Sequence, residues 1–233
     1  MVKAKKITKR KLKEPDELVT LTQRALLFAE AHAKKIVAAG IIVLAIVLGV
    51  VFYKMWDSKK EAEAGQKLSQ AMELYQRVSS PYREAPAAEV KTALGGFDEL
   101  IKQFSGTASG KFALLYKGNL HFKLGELDEA IKAYQAFLDK AGKERLYRLF
   151  GLEGLGYAYE GKKEYTKAVD AYQQIIAMGE TFQSGDAYLS LGRCYERLGK
   201  NQEALESYRA FLKTVKKSEM TNAVLRKVSL LEK

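Results

Sequence analysis

The chain has 233 residues, of which 47% are hydrophobic and 29% charged, an ordinary balance for a folded domain of some size. Its net charge of +11 is unevenly placed: residues 1–35 carry ten Lys/Arg against four Asp/Glu, while residues 54–233 carry 29 against 24. A basic excess beside an apolar run serves lipid contact and topology, so the charge argues against nucleic acid as a partner. Cys194 is the single cysteine, which excludes an intramolecular disulfide and leaves the fold to packing.

Residues 1–13, MVKAKKITKRKLK, are nearly all basic or small and are expected to be disordered in isolation. Pro15-Asp16-Glu17 has the form of a helix start, with proline in the first turn and acids against the positive end of the dipole. Apolar residues then recur at 18, 21, 25, 28 and 29, a helical spacing. This segment either lies on a membrane surface or extends the helix that follows it. His32, next to two lysines, reads as a solvated surface residue.

Ile36–Tyr53, IVAAGIIVLAIVLGVVFY, has 18 consecutive residues without a charge, Asn, Gln or Pro. As a helix it runs roughly 27 Å, close to the hydrocarbon thickness of a bilayer. Lys34, Lys35 and Lys54 bracket it, and Tyr53 and Trp56 stand where interfacial aromatics sit. The run starts too late, and is too long, for a removable signal peptide, and no small-residue cleavage site follows. The expectation is a retained signal anchor over 36–56, with residues 1–35 cytoplasmic. No polar residue inside it suggests transport, and Gly40 and Gly49 lack the spacing of a close-packing dimer motif. It reads as a tether.

From Lys59 onward the pattern is helical almost throughout. A long helix with Leu68, Met72 and Tyr75 on one face is broken by SSPYREAP, and a second helix, AEVKTALGGFDELIKQF, stops at SGTASG. A spacing then occurs three times: Gly118, Ala130, Tyr134; Gly156, Ala168, Tyr172; Gly192, Ala204, Tyr208. Each copy has a glycine, an alanine 12 later and a tyrosine four beyond, and the copies are offset by 38 and 36 residues. Small residues at the glycine and alanine positions let two antiparallel helices approach, and the tyrosine fills the space between one pair and the next. In the first copy Leu127, Ala130, Ile131, Tyr134, Phe137 and Leu138 form an apolar stripe that one helix pair cannot bury, so pairs must stack. Ala93 and Phe97 keep the four-residue step 37 residues earlier, the mark of a degenerate first repeat.

These residues resemble tetratricopeptide repeats. The usual proline ending each repeat is missing, and Gly142 and Gly179 lie near two junctions instead. The fold implied is all-α: an N-terminal transmembrane helix followed by an α-solenoid of tetratricopeptide-type helix pairs. The expected divisions are a long helix with a degenerate repeat over 57–112, three repeats over 113–215 and a capping helix over 216–233. The resemblance implies a groove lined by the first helix of each pair, at Asn119, Phe122 and Lys123, at Tyr157 and Glu160, and at Arg193, Glu196 and Arg197. Only Asn119 fits the lysine- and asparagine-rich clamp of the chaperone-tail subclass, so acidic C-terminal tails are not the expected ligand.

No chemistry is legible. Gly156-Tyr-Ala-Tyr-Glu-Gly161-Lys162-Lys163 matches the phosphate-binding loop until its last residue, where Lys163 replaces the hydroxyl that holds magnesium, and it lies in a helical stretch rather than after a strand. His121 and Cys194 have no neighbours in metal-ligand spacing and read as packing residues. No enzyme activity, cofactor or metal is expected. The arrangement of basic arm, single span, degenerate repeat and three repeats is similar to the YfgM-like bacterial inner-membrane family, ancillary to the SecYEG translocon. That likeness implies protein partners: translocon, chaperones or secreted clients. It also implies a periplasmic repeat domain. A cytosol-facing docking receptor or assembly subunit is the alternative.

Overall fold

The computed structural model describes residues 17–80, 82–215 and 218–232, with side chains from residue 22 onward. The basic arm over 1–13 and Pro15-Asp16 lie outside the described residues. All regular structure among them is helical. The chain divides into two units, residues 1–58 and 59–233.

In the first unit a single helix, α1 (Glu17–Ser79), runs from Glu17 without a break through Ser58, so the segment before Ile36 continues the helix rather than forming a separate one. Its apolar side chains are bare: Ile41, Ile42, Val43, Leu44, Ile46 and Leu48 are each 58–62% exposed. With a mean hydropathy of 2.9 over 18 residues and no burial there, this is the one described helix long and apolar enough to cross a membrane. A buried core helix of a soluble protein would show the opposite.

The second unit is an α-solenoid. The part of α1 from Lys59 pairs with α2 (Ala87–Phe104); α3 (Ala108–Lys123) pairs with α4 (Leu127–Ala141); α5 (Arg145–Gly161) with α6 (Tyr165–Ala177); α7 (Ser184–Arg197) with α8 (Asn201–Thr214); α9 (Thr221–Leu231) closes the end. From α2 each helix packs on the next, and α3 also touches α5. Ala64, Ala71 and Val78 of α1 meet Val90, Ala93, Phe97 and Leu100 of α2 in one core cluster. The stripe foreseen on α4 buries Ala130, Ile131, Tyr134 and Phe137, with Leu127 and Leu138 at its margins.

The repeated glycine has a more specific partner than the spacing suggested. A Cβ at Gly118 would lie 2.5 Å from the Tyr134 ring, and Gly156 and Gly192 are crowded in the same way by Tyr172 and Tyr208. The glycine therefore clears space for the tyrosine of its own pair, while Ala130, Ala168 and Ala204 are fully buried. Tyr134 reaches the next pair as well, where Gly154 of α5 makes room for it.

The turn inside each pair is also repeated. Gly125, Lys163 and Gly199, each seven residues after the pattern glycine, have φ of 74°, 62° and 71°. Their amides close back on the ending helix in the Schellman manner: Gly125 N–H donates to Phe122 O and Glu126 N–H to His121 O, with equivalents at Lys163–Glu164 and Gly199–Lys200.

At the start of α3, Thr107 accepts from the Gly110 amide at 3.0 Å. Glu61 of α1 accepts from the Ala108 and Ser109 amides at 2.8 and 3.1 Å and from the Ser109 hydroxyl at 2.9 Å. Desolvation works against the Glu61 charge, but the Ser109 and Ala108 amides, the Ser109 hydroxyl and Lys111 outweigh it and hold the carboxyl below its ordinary value.

Candidate protein-binding groove

The first helices α3, α5 and α7 carry their motif glycines toward the second helices, and the residues one, four and five positions later lie to one flank of that glycine, about 100°, 40° and 140° around the helix. Three hollows line up there. The first, about 240 Å³, is bounded by Leu115, Asn119, Phe122, Phe150, Glu153 and Tyr157. The second, about 340 Å³, shares Phe122 and Tyr157 with it and adds Glu160, Tyr165, Arg193 and Arg197. The third, about 440 Å³, shares Arg193 and Arg197 and continues through Leu189, Glu196, Val224 and Lys227 to α9. Seven of the eight expected groove residues line this connected row. Lys123 is exposed on the last turn of α3 and lines none of the three.

Several of these side chains are already engaged. The Asn119 amide donates to the Tyr75 hydroxyl at 3.2 Å and accepts from Tyr134 at 2.8 Å, joining the first two pairs. Glu160 accepts from the Tyr172 hydroxyl at 3.0 Å, from Arg193 at 3.0 Å and from the Cys194 thiol at 3.3 Å. Glu196 accepts from Tyr208 at 2.6 Å and from Lys227 at 2.9 Å. The tyrosine that locks each helix pair thus reaches through and ends on a groove residue. Phe122, Tyr157 and Arg197 are left facing outward, 40% and 36% exposed for the two aromatics. A mixed apolar and charged trough of this kind suits an extended polypeptide rather than a small molecule.

Phe150, Glu153 and Leu189 were not foreseen. They precede the motif glycines by six, three and three residues, and counting the helical period backward from Tyr157 and Arg193 would have found them. Lys227 comes from α9, which no repeat spacing reaches.

The remaining candidates have structural partners. His121 is mostly buried and pairs with Glu126 at 2.7 Å. Cys194 is fully buried, and desolvation, with the Glu160 charge and hydrogen bond, pushes its thiol well above the ordinary range, which makes it a poor nucleophile. In the phosphate-loop lookalike Gly156 makes room for Tyr172, Gly161 abuts Leu127, Lys162 pairs with Asp128 and Glu164, and Lys163 takes the left-handed turn.

Residues 28–233 match the model of a family described as tetratricopeptide repeat-like domain. Over 110 residues, 47% of its length, the chain is 28% identical to Lipopolysaccharide assembly protein B of Escherichia coli (strain K12), and it spans 27% of that relative. Among solved structures it is similar to a crystal structure of MamA, at 19% identity and a TM-score of 0.55 over 72% of this chain and 81% of that one. It is also similar to the nearly identical TPR-like repeats of a Podosopora anserina putative kinesin light chain, at 16% identity and a TM-score of 0.57 over 73% and 85%. At these identities the structural likeness speaks for the fold.

Proposed function

The chain belongs to the tetratricopeptide repeat-like domain family, and on that footing we propose that it is a non-enzymatic scaffold, tethered to the bacterial inner membrane by residues 36–56, that holds polypeptides in its groove. The observation that supports this best is the connected row of hollows along α3, α5 and α7, with Phe122, Tyr157 and Arg197 turned outward. The basic excess over residues 1–35 favours a cytoplasmic N-terminus and a periplasmic groove. The partners of such a groove are secreted clients or folding factors near the translocon, as in the YfgM-like family. Tethering raises the local concentration of the groove at the membrane and so strengthens capture without any new contact. A second reading, a cytosol-facing subunit for assembly at the membrane, draws on the assembly function in the name of the Escherichia coli relative.

Alkaline phosphatase fused to the C-terminus separates the two. An active fusion is expected; an inactive one, with an active cytosolic reporter at the same position, would favour the second. A photocrosslinker at Tyr157 or Arg193 should trap polypeptides in intact cells, whereas products formed only from Lys132 or Lys167, on second helices, would move binding off the groove.

A further inference from the structure

The hollow between α3 and α5 differs from its neighbours in charge balance. Its walls are the rings of Phe122, Phe150 and Tyr157, and its ionisable carboxylate is Glu153. Asp186, exposed on α7, acts on both Glu153 and the Tyr157 hydroxyl. No lysine or arginine lines this hollow. Further along the groove each carboxylate has a cation, Arg193 for Glu160 and Lys227 for Glu196. Arg193 does act on the Tyr157 hydroxyl, but from the next hollow, where Glu160 holds it. Glu153 receives one hydrogen bond, from Gln183 Nε2 at 2.6 Å, and Gln183 Oε1 is buried without a partner among the described residues. Desolvation, and then the Asp186 charge, push the Glu153 carboxyl above its ordinary value, with the Gln183 bond working the other way. Aromatic faces and the Glu153 carboxylate thus line this hollow without a cation, with the Asp186 charge acting on it from α7.

We propose that this hollow receives a lysine or arginine side chain of the polypeptide held in the groove. The inference rests on the groove binding polypeptide at all. About 240 Å³ admits one long side chain, whose methylene stem lies against Phe122 and Phe150 and whose charge faces the Tyr157 ring and Glu153. Phosphate-rich or acidic partners are disfavoured at the same spot by Glu153 and Asp186. Arg197 lines the adjoining hollow together with Phe122 and Tyr157 and has no ion-pair or hydrogen-bond partner among the described residues, so a carboxylate close to the basic residue would meet it.

The test uses the full-length protein in detergent micelles. An array of randomised nine-residue peptides selects binders, and fluorescence anisotropy then compares the best one with its Lys→norleucine counterpart, which keeps the length and removes the charge. Binders should be enriched in lysine or arginine, and norleucine should weaken binding roughly tenfold or more. Glu153→Gln should abolish that difference and Asp186→Asn should reduce it; Asp186 is exposed, so its variant folds even if the other does not. Peptide binding without basic preference, or with a preference for acidic peptides, overturns this inference and leaves the groove intact. No binding to any peptide by a protein with native circular dichroism overturns the groove itself.

Discussion

Tyr172 and its two counterparts each perform two tasks, filling the space left by a glycine and placing a hydroxyl on a groove carboxylate or amide. The glycine side of that lock is directly testable. Gly156→Ala drives a methyl group into the Tyr172 ring, and overpacking of this kind costs about 1–3 kcal/mol. Gly95, exposed on α2 with nothing within 4 Å, is the matched control: Gly95→Ala should stabilise by up to about 1 kcal/mol through helix propensity. Urea denaturation followed by circular dichroism measures both, and equal effects would remove the lock. Lys163 is the odd member of its own set, a side chain with Cβ at φ 62° where the other two turns have glycine. Lys163→Gly should stabilise by roughly 0.5–1 kcal/mol, the relief of left-handed strain less the added freedom of the unfolded chain. If the variant is less stable in the same urea titration, the turn is not strained.

Among the elements, α3 is held at its start by a carboxylate from α1. The Glu61 carboxyl is lowered on folding, so its contribution is fully present above the ordinary value of 4.5 and is lost as pH falls through the lower folded value. Glu61→Gln should therefore narrow the stability gap to wild type as pH drops below 4.5, with the gap full at pH 7. A gap constant between pH 7 and pH 3 would mean the charge is idle. That contact was not legible in the sequence, because it joins residues 47 and 48 apart through one side chain. The repeats were legible, since glycine, alanine and tyrosine recur at fixed distances in a solenoid whose contacts are local. Thr107 lies within the break SGTASG, yet the break is brief because its hydroxyl caps the next helix. The groove followed from the motif glycines as far as helix register carries. Asn119 is the exception in kind: it lines the first hollow, but its amide is already committed to two tyrosines.

For the repeat unit as a whole, stability should be a sum of neighbour terms, since each helix touches little beyond the one before and after it. Val224 is the one fully buried residue of α9, packed near Tyr208 and Phe211. Val224→Asp should release α9 and raise amide exchange in α8, leaving α3 and α4 protected, as followed by hydrogen exchange and mass spectrometry. Uniform loss of protection would mean that the array folds as one cooperative block. Combined with Glu61→Gln at the other end, its effect should be additive within about 0.5 kcal/mol. The glycine–tyrosine lock, with its seven-residue step to a left-handed turn, also makes each pair a cassette that carries its own fastening. A tandem copy of α5 and α6 inserted after Gly179 would present to α7 the surface it already accepts, and to α6 a first helix built on the same glycine spacing as α7. The trough would gain one more hollow, so its length can grow by gene duplication alone.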